Sequence, residues 1–216
     1  MSVSFKTVFR VEHLGFIDYP AALEAQKKRL DDVIAGRRPN TLLTCEHPPV
    51  ITHGRRACLD HILVSRDVLR REGVSVYAAD RGGDVTFHGP GQLVLYPILD
   101  LGSGFRDVHL YLRALEQVVI NALRDHFSLN AYRRQGLTGV WVGPYKVSSI
   151  GIGVRQWVAY HGLSLNVRVD KKYFSYVKPC GLDAPVASIA DFFDEEISFD
   201  DMRDLLVEHF KGVFSF

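Results

Sequence analysis

Apolar and polar positions change from one period to another along the chain, and each period predicts an element. Residues 3–11 alternate loosely, which favours a strand. Asp18 is a suitable helix N-cap, and the apolar positions that follow it keep helical spacing until Gly36, so a helix is expected between them. Shorter runs predict strands at 41–45, 50–53, 74–79 and 92–99, with a short helix at 65–73.

The second half of the chain shows the same mixture of periods. Asp107 precedes a long amphipathic pattern that predicts a helix to about residue 127. Residues 138–169 are rich in Val, Ile, Trp and Tyr and contain a Gly143-Pro144 turn, which indicates consecutive antiparallel strands. Residues 198–210 form a last predicted helix. The fold class is therefore α+β, with a mixed, mainly antiparallel sheet and flanking helices in one core.

No repeat, low-complexity tract or long linker divides the sequence. We therefore predict a single domain over residues 1–216. Residues 185–216 are the candidate for a small C-terminal helical appendage to it.

Residues 81–92 contain four glycines and one proline, which predicts a shaped loop and not a regular element. Its backbone amides, with Arg81, Thr86, His88 and Gln92, suit a polar or carbonyl-bearing ligand beside an apolar pocket. The loop matches neither the phosphate-binding nor the dinucleotide-binding glycine pattern. A purely structural turn is the alternative.

Composition and charge narrow the classes of function. The 26 basic and 25 acidic residues give a formal charge of +1, so no overall field favours nucleic acid or an anionic membrane. Residues 1–15 lack the uninterrupted apolar segment of a signal peptide, and no apolar run is long enough to span a bilayer. Three cysteines do not form a disulfide framework. We expect a cytoplasmic protein with reduced thiols.

Cys180 stands between Pro179 and Gly181, a rigid residue and one without a side chain. This setting is suited to presenting a thiol to a ligand. A nucleophilic cysteine also needs a nearby cation or base, because only a small fraction of an unperturbed thiol is ionised at neutral pH. The alternative is that Cys180 is a small buried side chain.

Lys146 follows the Gly143-Pro144 turn and precedes a strand of small or apolar residues. If desolvated, its amine has a lowered pKa and serves as a base. If it lies at an exposed strand end, it is only a solvated charge. A different interpretation of the sequence uses cysteines and histidines at short spacings as a zinc site in a binding module. Its ligands would be Cys45, His47, Cys58 and His61.

Several short motifs together resemble the lipoyl (octanoyl) transferase family of lipoate biosynthesis, and they occur in that family's order. They are Glu46-His47-Pro48-Pro49-Val50, the loop 81–92, Gly139-Val140-Trp141-Val142, residues 146–151, His161-Gly162-Leu163-Ser164-Leu165-Asn166-Val167 and Pro179-Cys180-Gly181.

The resemblance implies a fold similar to the catalytic module of biotin and lipoate protein ligases. It also implies transfer of octanoyl from octanoyl-acyl carrier protein to a lysine of a lipoyl-domain protein, such as the lipoyl domains of 2-oxoacid dehydrogenases or the glycine cleavage H protein. Cys180 would carry the acyl group as a thioester, and Lys146 would lower the thiol pKa and act as base. No cofactor is expected, because the donor thioester supplies the energy. The remaining alternative is an ATP-dependent lipoate or biotin ligase, which would not require Cys180.

The same resemblance implies three substrate-binding segments. They comprise Arg81, Gly82, Gly83, Asp84, Val85, Thr86, Phe87 and His88, then Ser149, Ile150 and Gly151, then Gly162, Leu163 and Ser164.

Overall fold

A computed structural model describes residues 8–104, 106–178 and 184–215 of the chain. Its strands are β1 (Phe9–Phe16), β2 (Asn40–Glu46), β3 (Val50–His53), β4 (Ser75–Ala78), β5 (Val85–His88), β6 (Gln92–Asp100), β7 (Ala131–Arg134), β8 (Leu137–Val142), β9 (Tyr145–Arg155) and β10 (Val158–Asn166). Its helices are α1 (Tyr19–Ile34), α2 (Arg66–Arg71), α3 (Leu101–Gly104), α4 (Val108–Phe127) and α5 (Phe199–Phe214), with short 3-10 turns at Leu59–His61, Lys171–Tyr176 and Ile189–Phe192.

The main sheet has seven strands in the order β1-β2-β6-β10-β9-β8-β7. Only β1 and β2 pair in parallel, and the other neighbours are antiparallel. A second sheet has the order β4-β3-β5. The predicted α+β class with a mainly antiparallel sheet is confirmed.

The side chains of β6 show how the main sheet fits between helices. Leu93, Leu95 and Leu99 join the cluster formed by α4 and α5, whereas Val94 and Ile98 face α1 on the opposite side. Successive strand residues point to opposite faces, so a strand covered on both faces must be apolar throughout. The continuous apolar run of β6 thus makes it a central strand.

Helix α4 begins and ends where the sequence predicts. The Asp107 carboxylate accepts hydrogen bonds from the amides of His109 and Leu110, and Ser128 ends the helix in the left-handed region. Helix α5 extends four residues beyond the expected end. Its apolar side chains join the same core cluster as α4, so residues 199–214 pack into the main core.

The three-stranded sheet corrects one expectation about the loop at 81–92. A regular strand, β5, occupies Val85–His88 and pairs antiparallel with β3. Val85 and Phe87 are buried in a second apolar cluster, and this burial stabilises a strand between glycines that would otherwise favour an irregular backbone. The first strand also differs from the prediction at residues 3–11. β1 runs from Phe9 to Phe16, and residues 1–7 lie outside the described part.

The pairing between β10 and β6 in the main sheet is interrupted at one place. The pairing runs from Val158 to Ala159 and resumes at Leu163, opposite Leu95. Pro97 lies across from the gap and has no N–H to donate to a ladder. Gly162 fills the gap closely, since a Cβ there would lie 2.2 Å from the Leu95 carbonyl oxygen.

Within the described ranges, every helix is too short or too polar to cross a lipid bilayer.

Candidate functional site

A pocket of about 420 Å³ lies where β5, β9, β10 and the loop before β5 meet. It collects three segments that are far apart in sequence, together with Lys146 from the start of β9. The predicted residues on its wall are Arg81, Gly82, Gly83, Asp84, Val85, Thr86, His88, Lys146, Ser149, Ile150, Gly151, Gly162, Leu163 and Ser164.

Phe87 is the predicted binding residue that does not line this pocket. Its ring is fully buried and stacks on Tyr173 with centroids 4.9 Å apart, and it meets Phe174 edge-on at 5.6 Å. The alternation of β5 turns Phe87 away from its neighbours Thr86 and His88. Phe87 therefore belongs to the second apolar cluster, where its packing holds β5 in place, and it does not contact a ligand in this pocket.

Arg81 shapes the glycine-rich loop from within. Its guanidinium donates to the carbonyl oxygens of Gly82 and Asp84 and to both oxygens of Thr52, at 2.8 to 3.0 Å. The amide of Gly82 donates to the Ile152 carbonyl at 2.8 Å, which joins the loop to β9. The buried guanidinium satisfies carbonyls that a strand ladder would otherwise satisfy.

Asp84 has a similar internal role. One carboxylate oxygen accepts from the amide of Cys58 at 3.1 Å, and the other pairs closely with the His61 ring. Both oxygens are thus engaged within the protein. The segment that contains Cys58 and His61 is in this way tied to the loop.

His88 belongs to a buried hydrogen-bond chain. Its Nδ1 lies 2.6 Å from Oε1 of Gln92, whose Nε2 donates to Oδ1 of Asn166 at 2.9 Å. Asn166 in turn donates to the Ala187 carbonyl. Since Oε1 of Gln92 only accepts, Nδ1 of His88 carries the proton. Burial lowers the pKa of His88 to about 3, so the ring is neutral at neutral pH.

The ring of His47 is likewise buried and hydrogen-bonded, at both of its nitrogens. Nδ1 donates to the Ile17 carbonyl at 2.7 Å, and Nε2 accepts from the Tyr96 hydroxyl at 2.9 Å. Burial lowers the pKa of His47, which keeps its ring neutral, and raises the pKa of Tyr96. Tyr96 lines the pocket, and His47, which lies behind that wall, fixes the orientation of the Tyr96 hydroxyl.

Tyr19, at the start of α1, brings a further hydroxyl to the pocket. Its oxygen is buried and has no hydrogen-bond partner among the described residues, and burial raises its pKa to about 12. A buried hydroxyl without a partner is costly. The Tyr19 hydroxyl therefore keeps a hydrogen-bonding capacity that no described residue uses.

His161 adopts a left-handed backbone, with φ of 57°, at the interruption in β10. The backbone N–H of His161 donates to Oε1 of Gln26 at 3.0 Å, and this bond replaces the one that pairing with β6 would give it. Nε2 bonds to the Asp80 carboxylate at 2.7 Å, and the Tyr160 hydroxyl donates to the same carboxylate. The hydrogen bond from His161 is the main cause that lowers the pKa of Asp80.

Sequence reasoning missed several pocket residues because their signals are weak. Tyr19 follows a helix cap, Tyr96 is in a buried strand, and His161 lies at a backbone irregularity visible only in three dimensions. The other missed lining residues are Thr52, Arg56, Val94, Leu112, Gly136, Leu137, Thr138 and Ile152.

Lys146 is partly buried at the pocket wall. Its amide donates to the Pro185 carbonyl at 2.9 Å, its carbonyl accepts from the amide of Ala187 at 3.2 Å, and it forms a parallel bridge with Val186. The chain that follows residues 179–183 is thereby fixed on the backbone of Lys146. Cys180 itself lies outside the described residues.

The four residues of the alternative zinc interpretation do not gather into one cluster. Cys45 is buried, with Sγ 3.5 Å from Nε2 of His47, whereas Cys58 is exposed and His61 pairs with Asp84. Over residues 8–104, 106–178 and 184–215, no three His, Cys, Asp or Glu side chains are arranged to hold a metal ion.

The buried neutral state of His88 predicts a dependence of stability on pH. An unfolded histidine titrates near 6.5, so between pH 6.5 and about 3 the unfolded chain binds more protons than the folded one. The free energy of unfolding should fall as pH decreases through this window, by up to about 1.4 kcal/mol per pH unit from this group. His88→Asn keeps a donor for Gln92 without a titrating ring and should flatten the curve.

Urea unfolding from pH 8 to pH 4 measures this effect. At pH 8 the His88 ring is neutral in both the folded and the unfolded chain. Any difference in the free energy of unfolding between wild type and variant at that pH therefore reports the replacement of the side chain alone. If the free energy of unfolding fell with decreasing pH equally in wild type and variant, His88 would not be the source of the pH dependence.

Comparison with known proteins agrees with this architecture. The sequence model of the family named lipoyl protein ligase A/B catalytic domain matches residues 18–211. The chain is 46% identical to an octanoyltransferase of Solibacter usitatus, over 95% of this chain and 93% of the relative.

Two solved structures share the fold at low sequence identity. A bipartite lipoate protein ligase from Thermoplasma acidophilum has a TM-score of 0.70 at 18% identity, covering 95% of this chain and 82% of the other. Biotin protein ligase from Aquifex aeolicus, in complex with biotin and ATP, has a TM-score of 0.59 at 12% identity, covering 96% and 70%.

The fold is thus that of the catalytic domains of lipoate and biotin protein ligases. The chain belongs to the lipoyl protein ligase A/B catalytic-domain family, and its sequence groups it with the octanoyltransferases, which are acyltransferases of lipoate biosynthesis. The prediction of this family, made from scattered motifs, is confirmed.

Proposed function

We propose that the chain moves an octanoyl group from octanoyl-acyl carrier protein to a lysine of a lipoyl domain, with Cys180 as the acyl carrier and Lys146 as its base. The observation that carries this proposal is the position of Lys146. It lines the same pocket as the loop at 81–88 and residues 162–164, and its backbone bonds the segment that follows Cys180.

Covalent geometry supports the pairing of the two residues. The amide of Lys178 donates to the His61 carbonyl at 2.8 Å, and Cys180 is two peptide units further, a reach of about 7 Å. On the other side, five peptide units connect Cys180 to Pro185, which bonds to Lys146. The described residues on both sides of 179–183 are therefore anchored, Lys178 to His61 and Pro185 to Lys146, and Lys146 lines the pocket.

The proposed reaction has two transfers of the acyl group. The Cys180 thiolate attacks the carbonyl carbon of the donor thioester, and the carbon–sulfur bond to the carrier's phosphopantetheine breaks. The Lys146 ammonium gives its proton to the departing thiolate, which leaves an octanoyl thioester on Cys180 and a neutral amine at Lys146. The donor thioester supplies the free energy for this step.

In the second transfer, the neutral acceptor lysine attacks the Cys180 thioester. An amide bond forms, the bond to the Cys180 sulfur breaks, and neutral Lys146 takes the amine's proton. The products are an octanoyl-lysine, a Cys180 thiolate and a Lys146 ammonium. The enzyme returns to its starting state, so the proton balance closes without a cofactor.

The pocket is suited to this cargo. Val94, Leu112, Leu137 and Ile150 give it apolar wall for a hydrocarbon chain. The candidate donors to a developing oxyanion are the Tyr19 hydroxyl and amides of the glycine loop other than that of Gly82, which donates to Ile152. The lipoate ligase that shares this fold is described together with its lipoyl domain, which supports a lipoyl domain as the acceptor. A cytoplasmic location is part of the same proposal.

Incubation of the purified protein with octanoyl-acyl carrier protein and an unmodified lipoyl domain tests the reaction. We expect mass spectrometry to show octanoyl on the acceptor lysine in the absence of ATP. Free octanoate with ATP should give no product. Modification that requires the free acid and ATP would instead identify an ATP-dependent ligase.

A further inference from the structure

Glu116 is a charged residue at the centre of α4 with no exposed surface. Its Oε2 accepts from Nη1 of Arg113 at 2.7 Å and from Nε of Arg133 at 2.9 Å. A buried carboxylate is costly unless it is fully hydrogen-bonded. The second oxygen, Oε1, accepts from a backbone amide in the neighbouring strand, that of Gly139, at 3.0 Å.

Gly139 holds a conformation that only glycine adopts readily, with φ of 137°. A Cβ at this position would lie 2.6 Å from the Ser148 carbonyl oxygen and 2.7 Å from Cε of Lys146. It would also lie 3.4 Å from the Lys146 amine nitrogen. The end of the Lys146 side chain therefore lies directly against the space that the missing Cβ leaves.

The register between β8 and β9 shifts at the same place. Val140 pairs with Ser148, but Trp141 pairs with Lys146, so Val147 is an extra residue on β9. Bulges of this kind redirect side chains next to functional sites. The Lys146 amine lies 5.9 Å from the centroid of the Trp141 ring, so this ring bounds the position of the amine on a second side.

We propose that Glu116 is a positioning residue for Lys146. By holding the amide of Gly139, Glu116 fixes the strand backbone against which the Lys146 side chain lies, and so sets where the ammonium enters the pocket. Glu116 does not itself line the pocket. The inference rests on the proposed role of Lys146 as the group that stabilises the Cys180 thiolate.

The test uses Glu116→Gln, which keeps the shape of the side chain and an oxygen acceptor but loses the charge that orients it between two arginines. Exposed Cys58 is replaced by Ser in every protein, so that alkylation with iodoacetamide reports Cys180. We expect the midpoint pH of Cys180 alkylation to rise, because a displaced ammonium stabilises the thiolate less. Loss of the negative charge alone would lower the midpoint, so the direction of the shift separates the two causes.

A double-mutant cycle makes the dependence on Lys146 explicit. In a Lys146→Ala background, Glu116→Gln should produce no upward shift. In transfer assays, Glu116→Gln should lower kcat by on the order of tenfold to a hundredfold, with KM for the carrier little changed, because only the placement of the base is altered.

Glycine substitutions give a second, independent variant with a matched control. Gly139→Ala should also raise the alkylation midpoint, since its Cβ displaces Lys146. Gly143→Ala introduces the same methyl group at another positive φ, 55°, but into open space, and should leave the midpoint unchanged.

A raised midpoint in Lys146→Ala with an unchanged or lowered midpoint in Glu116→Gln would overturn this inference and leave the proposed function intact. A raised midpoint in Gly139→Ala would not rescue it, because that substitution acts on Lys146 directly. An unchanged midpoint in Lys146→Ala would overturn both.

Discussion

Cys180→Ala is expected to abolish the octanoyl-enzyme adduct and to lower transfer by on the order of 10⁴-fold or more, the range found when a covalent nucleophile is removed. The alanine cannot accept an acyl group, so the two-step reaction has no intermediate. Intact-mass measurement after incubation with octanoyl-acyl carrier protein should show one added octanoyl group on the wild type and none on the variant.

The other two cysteines provide the matched controls. Cys45 is buried with its thiol pKa raised by desolvation, and neither Cys45 nor the exposed Cys58 lines the pocket. Cys58→Ala and Cys45→Ala should retain the adduct. Persistence of the adduct in Cys180→Ala would remove Cys180 from its assigned role.

Lys146→Ala is expected to lower transfer by on the order of 10² to 10³-fold, the contribution typical of a positioned base. It should also move the alkylation of Cys180 to higher pH. The sign follows from charge, because loss of a neighbouring cation raises the thiol pKa toward its ordinary value near 8.5. Rates of alkylation and of acyl transfer, measured across the same pH range, check both effects.

Lys146→Arg separates the two tasks of the lysine. An arginine remains protonated, so it stabilises the thiolate but cannot take a proton from the acceptor amine. We expect its alkylation profile to stay near that of the wild type while transfer remains low. Full transfer activity in Lys146→Arg would show that Lys146 is not the base.

Local sequence patterns were sufficient for most of the regular elements. The bounds of α4 follow from the cap at Asp107 and the apolar period after it, both of which are local. β7 (Ala131–Arg134) was not predicted, because its four residues carry little pattern and it is a strand only by pairing with β8. β5 was likewise hidden among glycines that favour loops, and burial against β3 decided its conformation.

The candidate site was predictable to a different extent. The segments at 81–88, 149–151 and 162–164 were assigned by family resemblance and do border one pocket, whereas the ring of Phe87 packs against Tyr173 and does not line it. The contacts of Arg81 and Asp84 with their own loop were not visible in the sequence.

The sequence by itself determined the class of fold and the family, because periodicity, caps and short motifs are properties of neighbouring positions. The two residues proposed for the chemistry came from the family resemblance that those motifs carry. The tertiary structure alone decided that Glu116 meets Gly139, that Lys146 lies against Gly139, and that Tyr19 and His161 reach the pocket. These relations join residues on different helices and strands. They depend on strand register and on the packing of α1 and α4 across the sheet, which local sequence does not specify.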